Sequence, residues 1–153
     1  MAIELPGWLV EAIRYLGYEF PQTNEDQLHT WADNLRSMSS TFSTSKGNIE
    51  EAIAHIESHN EGAAVDSFKD TATGDDADTA TLGRFGEGTE IAAGACETCA
   101  HATVVFKGVV IAQLALLAPA IAAGPVSFFL KRGVEYAIEK ALEAAINEIL
   151  GGE

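Results

Sequence analysis

Residues 28–56, LHTWADNLRSMSSTFSTSKGNIEEAIAHI, decide how this chain folds. At alternating steps of three and four they read Leu28, Trp31, Leu35, Met38, Phe42, Ser45, Ile49, Ala52 and Ile56, and only Ser45 is polar. That spacing keeps returning to one side of an α-helix, so the stretch predicts a long helix with a narrow apolar stripe. The pattern recurs at Leu82, Phe85, Thr89, Ala92, Cys96, Cys99, Thr103, Phe106, Val110, Gln113 and Leu117. Two such stripes pack on each other at the shallow angle of coiled-coil packing. A turn at Asn60-Glu61-Gly62 reverses the chain between them and sets them antiparallel, with Phe42 in the core. The fold expected is all-α, an elongated helical bundle built from long antiparallel helical hairpins.

Outward from that stretch, the elements follow local signals. Pro6 suits the first turn of a short helix over residues 6–16, which Gly17 stops. Phe20-Pro21 is a turn, because the residue before proline avoids the helical region. Thr23 or Asn24 then caps the long helix, with Glu25 and Asp26 on its positive end. Ser37 to Ser45 and Gly47 are weak helix formers, yet the stripe crosses them without changing register, which favours one helix over two. A first hairpin spans about 24–73, with a short helical piece from Ala63 to Thr71. Gly74 to Asp78 reads as a surface loop with solvated aspartates. A second hairpin spans about 80–150: one helix toward Pro119, then, after Gly124-Pro125, an amphipathic helix from Val126 to Leu150 that Gly151-Gly152 ends. The short N-terminal helix and this last one can each cover a side of the first hairpin. Residues 1–153 are read as a single domain.

The 153 residues carry a net charge of −14, with 23 acidic residues against 9 basic ones. That field repels phosphate backbones and argues against nucleic-acid binding. Residues 1–100 hold 18 of the acids and 5 of the basic residues. The opening Met1-Ala2-Ile3-Glu4-Leu5-Pro6 has no basic leader, and Glu4 and Glu11 interrupt any apolar run, so export through the general pathway is not expected from it.

No catalytic constellation is legible. Cys96-x-x-Cys99 places both thiols on the stripe, where small apolar side chains are wanted, and buried packing is the reading. A reversible disulfide, making the chain a redox-responsive interaction protein, is the alternative; zinc would need two more ligands, and only His101 is near. His55 and His59 share a helix face without a third ligand. No metal and no cofactor is expected. Gly108 to Leu130 is 23 residues without a charge, framed by Lys107 and by Lys131-Arg132. Its length fits a membrane span, but Gln113, Pro119 and Gly124-Pro125 favour a buried helical hairpin.

The segment Phe20-Pro21-Gln22-Thr23-Asn24-Glu25-Asp26-Gln27-Leu28-His29-Thr30-Trp31-Ala32-Asp33 resembles the N-terminal WXG-like domain of polymorphic toxins exported by type VII secretion systems. Ile3 to Leu9 matches that family's Ile-x-Leu-Pro-x-Trp-Leu-like opening, and the order of elements agrees over nearly the whole chain. Two positions depart from the pattern. Asn60-Glu61-Gly62 keeps the glycine of the Trp-x-Gly turn without its tryptophan. The literal match to the Tyr-x-x-x-Asp/Glu export signal, Tyr15 to Glu19, lies before the first hairpin.

The resemblance implies a non-catalytic export-targeting and partner-binding module of a secreted toxin or effector. Such a module is cytoplasmic before export and leaves by a signal-peptide-independent route. Its implied partners are a small WXG-type helical protein, the type VII machinery and a second copy in a weak homodimer. Trp8, Tyr15 and Tyr18 are the candidate contacts, since exposed aromatics favour binding hot spots. The competing expectation is a membrane-active protein inserting through residues 108–130.

Overall fold

In the computed structural model, which describes residues 2–151, the chain is helical, with no strand among the described residues. Met1, Gly152 and Glu153 lie outside that range, so Gly152 as a helix stop is not among the described features. After a 3-10 turn at Gly7–Leu9 come α1 (Val10–Leu16), α2 (Glu25–His59), α3 (Ala63–Thr73), α4 (Asp78–Ala123) and α5 (Phe128–Leu150). The chain divides into two compact units, Met1–His29 with Ala95–Glu153, and Thr30–Gly94.

Local chemistry sets the boundaries. Gly17, at φ 77°, closes α1 in a left-handed cap whose N–H bonds to Arg14 O at 3.0 Å, while the Tyr18 N–H reaches Ile13 O. Asn24, not Thr23, caps α2, its Oδ1 accepting from the Gln27 N–H at 3.1 Å. Gly62, at φ 114°, makes the reversal into α3 that a residue with a Cβ would strain. The Ser127 hydroxyl accepts from the Leu130 N–H at 3.2 Å and opens α5.

In the unit Thr30–Gly94, α2 and α4 run antiparallel. Arg36 pairs with Glu90 at 3.5 Å, the Ser39 hydroxyl donates to Gly86 O at 2.9 Å, and Phe42 stacks on Phe85 at 5.9 Å between centroids. α2 is unbroken through its serine-rich middle and Gly47. α3 returns along it, joined by Lys69 and Glu57 at 3.1 Å. The expected inward stripe is kept only in part. In α4 its members Val110 and Leu117 are buried, and beside them a second buried row recurs every seven residues at Thr79, Gly86, Ala93, Ala100, Lys107 and Leu114. Each of the last five stands one residue after an expected stripe member. In α2, Ala32 and Ile53 are buried while Trp31 and Ala52 face solvent. Small side chains at the contact let two backbones approach closely, and the large apolar residues beside them turn outward. Phe42 is accordingly half-buried rather than central.

In the other unit, α1 and α5 pack on the C-terminal part of α4. Leu9, Ala12, Ile13 and Leu16 meet Val110, Leu114, Leu117, Val134 and Ile138 in one core. This is where the short helix and α5 bury their apolar faces. α4 does not stop at Pro119 but continues to Ala123. Pro119 is exposed, so the backbone bond it forfeits opens to water, while Leu117, Ala118 and Ile121 keep the inward face packed. Residues 108–130 are therefore two helices and a turn rather than one span. α4 is still the part of the chain whose length and composition would let it cross a membrane.

Candidate functional site

The three aromatic residues singled out from the sequence are all exposed and surround α1 without forming one patch. Trp8, 64% exposed, lines a hollow with Ala12, Pro119 and Ala122. The Tyr15 ring lies under the Lys131 ammonium at 5.0 Å. Tyr18 stands at the rim of a different groove, beside Glu139. Burial, the charges of Glu139 and Glu135, and a hydrogen bond to Glu139 push its hydroxyl pKa upward, so it stays protonated as a donor. Asn60, Glu61 and Gly62 form the α2–α3 turn, where the Asn60 amide donates to Ile56 O at 2.8 Å.

Cys96 and Cys99 are free and half-buried, on one side of α4. The His55 and His59 rings lie 4.3 Å apart on the α2 surface. Among the described residues, no group of three His, Cys, Asp or Glu is placed to hold a metal ion.

One feature of this unit was not legible as such in the sequence. Lys107, the residue before the apolar run, is buried and donates to Glu25 Oε2 at 2.8 Å, Thr23 O at 2.6 Å and Ile3 O at 3.0 Å. The Ile3 N–H donates to the other Glu25 oxygen. Burial by itself would raise the Glu25 carboxyl, but the bonds from Lys107 and Ile3 outweigh it and hold its pKa at about 2. The pair fastens the N-terminal segment to α4 and the start of α2. The only sequence signal was one lysine at a stripe-adjacent position.

The second feature is a groove. Two hollows of about 260 and 230 Å³ lie along α5 and share Pro21, Phe106 and Leu142. The first reaches Tyr18 and Glu139; the second reaches Ile146 and Ile149. Leu142 and Ile149 belong to the last helix, which by its amphipathic pattern can cover a side of the first hairpin. Both are instead 44% exposed on the open side of α5, next to Ile146 at 45%.

In the unit Thr30–Gly94, Trp31, Met38, Phe85 and Ile91 are exposed, Trp31 at 57% and Phe85 at 58%. The model of the WXG100-like domain matches residues 2–146. The chain belongs to the WXG100-like family. Proteins of this family are non-enzymatic secreted helical proteins that work within type VII secretion, a signal-peptide-independent route, and commonly form helical-hairpin dimers. No curated protein and no solved structure matches the chain. Among the described residues, the open apolar surfaces of this WXG100-like domain include the outward half of the α2 and α4 stripes, the α5 groove, and the α4–α5 turn, where Phe129 is 86% exposed.

Proposed function

We propose that this WXG100-like domain is a non-catalytic export-targeting and partner-binding module of a type VII-secreted toxin or effector. It is held in the cytoplasm until a small WXG-type helical protein pairs with it. The observation that carries the reading is the open half of the stripe: Trp31, Met38 and Phe85 sit outward on helices whose family commonly pairs hairpin to hairpin. Large side chains buried at the centre of a contact, aromatics above all, supply much of the association energy, and Trp31 and Phe85, with Met38 beside them, are exposed. Co-expression with any small WXG-type proteins encoded beside it, followed by pull-down and light scattering, tests this. A stoichiometric complex is the expected result; a monomer that captures none of them would overturn the reading.

A second reading draws on Phe128 and Phe129, both exposed at the α4–α5 turn beside Lys131 and Arg132. Aromatics with basic neighbours suit a membrane interface. Sedimentation with anionic liposomes, lost in Phe128→Ser/Phe129→Ser, is the expected outcome if the turn touches lipid.

A further inference from the structure

The groove along α5 has a shape and a charge that the partner-binding reading does not use. Its open wall is Leu142, Ile146 and Ile149, spaced four and three residues apart, so they form one continuous ridge. Phe106 and Val110 of α4 face it from below, and Pro21 closes the other side. From Ile138 to Ile149 the groove follows α5 for about 17 Å, or about three helical turns. A groove of this kind, between a helical ridge and a second wall, receives the ridge of another helix. The rim is acidic. Glu19 and Glu139 line it, and the charges of Glu135 and Arg132 both reach Tyr18 at one end. Glu148, at the far end, is held by His101 Nδ1 at 2.7 Å.

We infer that the α5 groove seats a cationic amphipathic helix, with an apolar stripe against Leu142, Ile146 and Ile149 and lysines or arginines facing Glu19 and Glu139. The inference rests on the partner-binding reading and names the chemistry of the partner element. An acidic helix is disfavoured, because the whole chain carries −14. A second copy is disfavoured for the same reason: two α5 helices meeting face to face would bring Glu139 toward Glu139. A bilayer meets convex surfaces, and its contact would fall on the turn rather than in this recess.

The test uses the full chain and a designed 18-residue peptide with leucines at helical spacing and lysines elsewhere, followed by fluorescence anisotropy. Two control peptides are a scrambled-order version and one with glutamate in place of lysine. Saturable 1:1 binding of the first peptide alone is expected. Ile146→Glu and Glu19→Lys/Glu139→Lys should each weaken it at least tenfold. Ile146 is half-exposed, so the variant should keep its circular dichroism spectrum and melt. Equal binding of the scrambled peptide, or no loss in Ile146→Glu, would reduce the effect to bulk charge and overturn the inference. So would a dimer by light scattering that Ile146→Glu dissolves, since the groove would then be filled by a second copy. The two readings fail separately. Capture of a neighbouring small helical protein by Ile146→Glu as strongly as by the wild type removes the groove and leaves partner binding intact. Absence of any captured protein removes partner binding, while specific peptide binding would still uphold the groove.

Discussion

Lys107 and Glu25 carry opposite charges where almost no water reaches, and such a pair persists only because every donor and acceptor is matched. The ammonium has three acceptors and the carboxylate has two donors. Removing one member strands the other. Lys107→Ala should therefore cost about 3–5 kcal/mol on denaturant melts. Lys107→Met with Glu25→Leu should recover part of it, since the apolar pair needs no solvation while Ile3 N–H, Ile3 O and Thr23 O lose their partners. The pH dependence has a definite sign. Glu25 titrates near the ordinary 4.5 when unfolded and at about 2 when folded, so its contribution is present above pH 4.5 and lost as pH falls toward 2. The wild type should lose stability across that window more steeply than the Met/Leu double variant. From spacing alone, Glu25 is legible as an acid on a helix N-terminus and Lys107 as the border of an apolar run. Neither reading could show that 82 residues of chain bring the two together.

At the scale of the element, the periodicity was readable and its phase was not. Leu28, Leu35 and Phe42, and likewise Val110 and Leu117, sit on the covered side as the stripe required. Trp31, Met38 and Phe85 do not, because a search for large apolar side chains overlooks Ala32, Ser39, Gly86, Ala93 and Ala100, the small residues that permit the closest approach. The aromatic residues at the intervening positions are too bulky for the narrow side and serve the open one. Glycines in α4 illustrate the same division. A Cβ on Gly86 would touch Phe42 and Ser39 at 3.7 Å, whereas a Cβ on Gly88 meets nothing within 4 Å. Gly88→Ala should stabilise the domain by about 1 kcal/mol through helix propensity alone. Gly62→Ala, at φ 114°, should cost about 1 kcal/mol or more by the opposite argument. Thermal melts read both.

At the scale of the whole molecule, all-α architecture and family were legible because helical periodicity and the order of short motifs survive without coordinates. The surfaces that remain open were not, because which half of a stripe is covered depends on backbone separation. That half can be followed by light. The chain has two tryptophans, Trp8 and Trp31, and both are more than half exposed. Free, both should emit at the long wavelengths of water-exposed indole and be quenched by iodide. Trp31 belongs to the open stripe and Trp8 to the hollow beside the end of α4, so a pairing hairpin that covers the stripe should shield Trp31 first. Trp8→Phe leaves Trp31 as the sole reporter, and Trp31→Phe leaves Trp8. The expected outcome on adding the captured partner is a blue shift and loss of iodide quenching in Trp8→Phe, with little change in Trp31→Phe. Met38→Ser should change stability by less than about 1 kcal/mol, as exposed substitutions do, yet weaken capture at least tenfold. A partner that shields Trp8 while leaving Trp31 open would place the contact at the α1 and α4 hollow and remove the outward stripe from the docking surface.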